Sequence, residues 1–226
     1  NSYLKGCTKW KGAPYCESIK EKNHLIMHEI SPEFLVPALE MFNEDDYEGA
    51  IASCSNVINF LSEMSLYNAE RSDAFFYRGL SKFYLDNFVG AIRDFDNSIE
   101  LNSECPIAFS SRADAKENLS LWHSALSDYS VALKLDPENS ERYFDCAMCK
   151  VKAGNLSEAL PDFKLAILID PHYSYYEERF KCRKAINDLA GAKRDWDEMN
   201  RLRDRGIPKQ KISYIQKSIF DENCNR

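Results

Sequence analysis

The chain has 226 residues, 44% of them hydrophobic and 29% charged, which suits a folded, water-soluble body and argues against disorder over most of its length. No apolar run approaches about 18 residues, so no membrane insertion is expected, and eight glycines are too few for Gly-rich phosphate loops or a turn-rich β architecture. The net charge of −7 conceals an acidic centre: residues 31–172 carry 24 acids against 11 basic side chains, and residues 173–226 carry nine against 13. An acidic centre repels phosphate backbones, so no nucleic acid is expected as a partner. The basic end reads as a solvated helical face.

In chain order, residues 1–30 form an N-terminal segment of their own. Residues 1–16 hold Gly6, Cys7, Trp10, Gly12, Pro14 and Cys16 and read as irregular, and residues 17–30 read as a candidate helix. From residue 31 to about 205 apolar residues recur at helical spacing in runs of helix length. A first, weak copy of a repeat centres on Tyr47-Glu48-Gly49-Ala50. Its second helix is expected to run on through Leu61 to Leu66, because extra residues separate it from the next copy.

Three ungapped 34-residue blocks follow: Ser72 to Cys105, Pro106 to Asn139, and Ser140 to Tyr173. Small residues share columns at Gly79, Ala113 and Ala147, and again at Ala91, Ala125 and Ala159. An acid and an aromatic follow at Asp94-Phe95, Asp128-Tyr129 and Asp162-Phe163. Blocks close on Leu-Asn-Ser at 101–103, Leu-Asp-Pro at 135–137 and Ile-Asp-Pro at 169–171. A last, degenerate copy carries Leu189-Ala190-Gly191-Ala192 and Asp195-Trp196. Residues 206–226 close the chain as a capping helix and tail, with Ile212, Ile215 and Ile219 at helical spacing.

Small residues at a helix crossing let two backbones approach, and the aromatic fills the gap beside them. The Asp-Pro pairs are read as ending one helix and opening the next, with proline in a first turn. Pro161 is assigned to the first turn of its own helix. A single hairpin cannot bury its apolar face alone, so the hairpins must stack.

This period, the small-small-aromatic columns and the closing Asp-Pro resemble the tetratricopeptide repeat (TPR) family over residues 31 to about 205. The sequence departs from the family pattern at Lys82, Lys116 and Lys150, where an aromatic is common. The resemblance implies an all-α, right-handed superhelix of about five tandem hairpins with a C-terminal capping helix. It also implies a concave groove lined by the first helix of each pair. The lining positions it assigns include Phe76, Leu80, Phe83, Asp114, Glu117, Glu141, Phe144 and Met148. Asp145 joins them as an acid on the same helix. Family members that clamp a C-terminal carboxylate as Hsp70/Hsp90 co-chaperones use Lys, Asn, Asn, Lys and Arg; the matching residues here are Phe76, Leu80, Ser111, Glu141 and Asp145. None matches and two reverse the charge, so that subclass is not expected.

The remaining constellations favour bland readings. Cys146 and Cys149 form a Cys-x-x-Cys in mid-helix, away from the N-terminal placement that activates a thiol, and no second pair completes a zinc site. With Cys54, Cys105 and Cys182 they read as small buried hydrophobes in a reducing, cytoplasmic compartment. A Cys7–Cys16 bridge and the sequons Asn118-Leu119-Ser120 and Asn155-Leu156-Ser157 would instead suit a luminal or secreted protein. His24 and His28 lie four apart without a third metal ligand, and His123 and His172 are assigned to solvent-facing turns. Asp94, Asp128, Asp162 and Asp195 are assigned to favourable charge–dipole positions near helix N-termini.

The expected function is a non-catalytic protein-interaction module or scaffold without cofactor or metal, holding a basic or amphipathic peptide or partner helix in its groove. Alternatives are a substrate-recognition or regulatory domain of a larger enzyme, or a luminal TPR protein.

Overall fold

The computed structural model describes residues 35–62 and 67–204. Among the described residues the chain forms ten helices: α1 Val36–Asn43, α2 Tyr47–Phe60, α3 Asn68–Tyr84, α4 Phe88–Leu101, α5 Pro106–Asn118, α6 Trp122–Leu135, α7 Ser140–Lys152, α8 Leu156–Ile169, α9 Tyr173–Ala185 and α10 Leu189–Asp204. They read as five consecutive hairpins, and the described part divides into two compact units at Ala108/Phe109. The candidate helix over 17–30, Cys7, Cys16, His24, His28 and the capping helix of 206–226 lie outside the described residues.

Each hairpin turns in the same way. The residue at the bend has a positive φ: Asp45 (61°), Asp86 (57°), Ser120 (58°), Gly154 (87°) and Asn187 (64°). The next residue's N–H reaches back across the bend to the last turn of the first helix: Asp46 to Met41 O, Asn87 to Lys82 O, Leu121 to Lys116 O, Asn155 to Lys150 O and Asp188 to Arg183 O, at 2.8–2.9 Å. A left-handed residue followed by this long-reaching bond closes a helix and satisfies its orphan carbonyls.

The same residues then cap the second helix. Asp46, Asn87 and Asp188 accept from the N–H of Gly49, Gly90 and Gly191 at 3.0, 3.0 and 2.9 Å. That explains the Gly-Ala pairs in the repeat. A methyl group at Gly49 or Gly191 would meet the capping carboxylate at 2.1 or 2.0 Å.

In the unit formed by residues up to 108, α1 and α2 enclose Ala38, Cys54, Val57 and Ile58, with Leu61 and Ala74 against them. In the next pair Gly79 of α3 crosses α4 at Phe95, whose ring would lie 2.8 Å from an added Cβ. This close approach is what the small column provides. Helix α2 ends at Phe60, and Leu61 and Ser62 already form a turn. It therefore does not run on to Leu66. Part of the extra length lies instead in α3, which begins at Asn68, about one turn before the block boundary at Ser72.

In the unit from Phe109 onward, Ala113, Ala125 and Tyr129 pack with Cys146 and Cys149. Phe144, Ala147, Ala159, Phe163, Ala166, Tyr175 and Cys182 form a second cluster. Pro161 is the sixth residue of α8, inside the helix and not in its first turn. It removes the N–H that would bond to Ser157 O. Pro106 does open α5, but Pro137 and Pro171 lie between helices. Asn139 and His172 serve as the N-caps of α7 and α9.

Candidate functional site

The column of acids is the first to find a role. Asp94, Asp128, Asp162 and Asp195 are each the seventh residue of their helices, beyond the first turn where the helix dipole acts. The dipole reading is therefore replaced by direct pairing with cations on the first helix. Arg78 reaches Asp94 through Nε (2.9 Å) and Nη2 (2.7 Å) while Lys82 Nζ lies 2.7 Å away. Arg112 and Lys116 repeat this on Asp128, and Arg179 and Arg183 on Asp195. In the α7–α8 hairpin Lys150 is the one cation on Asp162, at 2.5 Å, and Cys146, in the arginine column, hydrogen-bonds the same acid.

A buried carboxylate is tolerable only when paired and hydrogen-bonded, and the planar guanidinium fork matches it with two parallel bonds. The arginines also lie over aromatic rings three residues earlier: Arg78 on Phe75, Arg112 on Phe109 and Arg179 on Tyr176. So Lys82, Lys116 and Lys150, departures from the family pattern, belong to electrostatic joints inside their own hairpins.

The sequence-assigned lining residues fall into two sets, one in each unit. In the first, Phe76 and Phe83 are half-buried. Phe76 lies 5.9 Å from the Phe95 ring and Phe83 lies 5.4 Å from Phe88. Leu80 is only 1% exposed and belongs to the core. Asp73 lies beside them, with its pKa pushed up to about 8 by burial, by Cys105 and by Glu70.

In the second unit, Asp114, Glu141, Asp145 and Met148 are half-buried. Glu117 is 7% exposed and takes an ion pair from Lys152 Nζ at 2.5 Å. The Tyr129 hydroxyl sits 2.5 Å from Asp114 Oδ1 and 3.2 Å from Glu117 Oε1. Phe144 is 1% exposed, stacked 4.8 Å from Tyr175 and 5.7 Å from Phe163. The expectation of Phe144 and Leu80 as contact residues is corrected: both spend their surface inside their own units. Tyr129 and Lys152 bind the acids together. Tyr129 was legible only as a core aromatic.

Burial raises the Asp114 carboxyl to about 7, with Glu117 adding to the rise and Tyr129 and Lys152 opposing it. Asp145 is raised well above the carboxylate range by burial and by Asp114, Glu141 and Glu117. The acids thus crowd one another on the faces of α5 and α7.

Cys146 and Cys149 are buried thiols. Burial pushes Cys146 up to about 12 and moves Cys149 in the same direction. A thiol so far from its thiolate is a poor nucleophile. His123 is exposed but lies in the first turn of α6, and His172 is half-buried and accepts from Ser174 N–H as the cap of α9; neither is in a solvent-facing turn. Among the described residues no cluster of His, Cys, Asp or Glu has the arrangement of a metal site, and no described helix is long and apolar enough to cross a membrane.

No protein-family model matches the sequence, and no curated protein matches it. Solved structures do. MamA superposes with a TM-score of 0.68 at 13% identity, over 75% of this chain and 95% of that one. The MamA fragment 41-end from Desulfovibrio magneticus RS-1 gives 0.66 at 13% identity, over 74% and 92%. YrrB, described as a TPR protein with an unusual peptide-binding site, gives 0.63 at 17% identity, over 89% and 96%. At such identities the likeness is one of fold. Five hairpins with one turn geometry, small residues at the crossings of the ungapped blocks and TPR proteins as structural neighbours together identify the architecture: the chain has the all-α tetratricopeptide-repeat fold.

Proposed function

We propose that the chain is a non-catalytic protein-interaction module that selects a basic or amphipathic peptide, or a partner helix, along the α5 and α7 faces. The observation that carries this reading is the crowding of Asp114, Glu117, Glu141 and Asp145 on the faces of α5 and α7, where Lys152 pairs with Glu117 and Arg142 acts on Asp145. A cationic side chain brought to these faces relieves repulsion that the fold leaves in place. Met148 supplies half-buried apolar area on the same helix. In the other unit, Phe76 and Phe83 supply aromatic area of the kind that anchors interfaces. A reducing, cytoplasmic setting fits the buried thiols Cys54, Cys146, Cys149 and Cys182.

Association kinetics with lysine-rich, neutral and acidic peptides test the reading. Affinity is expected in that order and should weaken with salt, because exposed charges are screened beyond about 8 Å at physiological ionic strength. The double substitution Glu141→Lys with Asp145→Lys should slow association with the basic peptide on the order of tenfold. Equal rates for the double variant and the parent would remove the α5–α7 faces from the reading.

A further inference from the structure

The acids and Tyr129 do something that the peptide reading leaves unused. A phenol carries one proton. The Tyr129 oxygen nevertheless lies within hydrogen-bond distance of two carboxylates, Asp114 Oδ1 at 2.5 Å and Glu117 Oε1 at 3.2 Å. If both acids were ionised, a single proton would serve two anionic oxygens. Glu117 already takes an ion pair from Lys152 Nζ, 2.5 Å from Oε2. The spare proton therefore belongs on Asp114.

We propose that Asp114, Tyr129 and Glu117 form a proton-operated latch between α5 and α6: protonated Asp114 donates to the Tyr129 oxygen, the phenol donates to Glu117, and loss of the Asp114 proton loosens the joint. Every group in that row is satisfied: Lys152 donates to Glu117, Tyr129 donates to Glu117, and Asp114 donates to Tyr129.

The surroundings agree. Asp114 is faced by Glu117 on its own helix, by Tyr129 on α6, and by Asp145 and Lys152 on α7, while Glu141 and Arg142 act on Asp145 in turn. Burial and the neighbouring acids favour the neutral form of Asp114, against Tyr129 and Lys152, and place its titration at about 7. Burial and the acids also raise Tyr129 well above its ordinary value, so the phenol is not the group that gives up the proton. The folded chain then binds this proton more tightly than the unfolded chain, whose Asp titrates at 3.8. The contribution of Asp114 to stability must fall as pH rises from about 4 to about 7 and level off above. The device is independent of any partner.

Carbon-13 NMR on the full chain tests it. The Asp114 Cγ resonance is expected to titrate near pH 7, and the Tyr129 Cζ resonance to shift with the same midpoint, because the phenol changes its hydrogen-bond role. In parallel, the urea midpoint of the parent should fall between pH 5 and 8. The fall should be smaller in Asp114→Asn, whose amide donates to Tyr129 at every pH. Asp114 titrating near pH 4, a Tyr129 resonance indifferent to that titration, or an Asn variant with the parent's pH slope would each overturn the latch. The wild-type titration decides the matter even if the variant does not fold.

Discussion

At position 94 a carboxylate almost without access to water is held by a guanidinium fork and an ammonium group from the facing helix. Removing the acid strands two cations, although both are partly exposed and can turn toward solvent. Asp94→Ala or Asp128→Ala should therefore cost about 2–4 kcal/mol, somewhat under the loss expected when a fully buried pair is broken. Asp162→Ala should cost less, since Lys150 is its sole cation and the acid is more exposed. Urea unfolding of the three variants gives the ranking, and an equal cost for Asp162 would contradict it. The acid column was legible in the sequence, but its meaning was not. The cations sit 12 and 16 residues upstream on another helix, a relation that becomes visible only once the hairpin is closed. Phe144 shows the opposite failure. Its register assigns it to a lining face, but the stacked ring of Tyr175 covers it.

At the scale of the element, the helices were legible because small residues and aromatics recur at fixed positions. The bends were not, because Asp, Asp, Ser, Gly and Asn all adopt the same left-handed conformation there. No single residue type marks the turn, and Asn and Asp tolerate this region for local hydrogen-bonding reasons. The end of α2 was misread because helical spacing continued beyond the last helical residue. Pro161 was placed too early, and its true site inside α8 carries a consequence: a proline there forfeits a backbone bond and crowds the preceding turn. The side chain is exposed, so an alanine leaves no cavity. Pro161→Ala should raise stability by about 1–3 kcal/mol, read as a higher urea midpoint. An unchanged midpoint would mean that α8 already absorbs the defect without cost.

For the molecule as a whole, each unit has its own core, and within the second unit the α7–α8 and α9–α10 hairpins meet through the stacked rings of Phe144 and Tyr175. Within the second unit Ala125 and Tyr129 share a cluster with Cys146 and Cys149 of the following hairpin. Ala125→Trp should overpack this crossing and destabilise by about 1–3 kcal/mol. Nearest-neighbour coupling in repeat arrays predicts that hydrogen-exchange protection falls in α7 as well as in α5 and α6. Damage confined to α5 and α6 would show that the hairpins hold together independently.

The Arg–Lys–Asp joint bears on how such a chain can grow. Arg78, Lys82 and Asp94 lie within one ungapped block, as do Arg112, Lys116 and Asp128. Each block brings the counter-charges for its own buried acid. Copying one in tandem therefore adds no uncompensated charge to the interior, and the new copy needs only an apolar neighbour on either side. The third block, where cysteine stands in the arginine column, holds its acid with a single lysine and still takes its place in the array. An array built on this unit can change length by whole blocks, with the cations for each buried acid carried on the same segment.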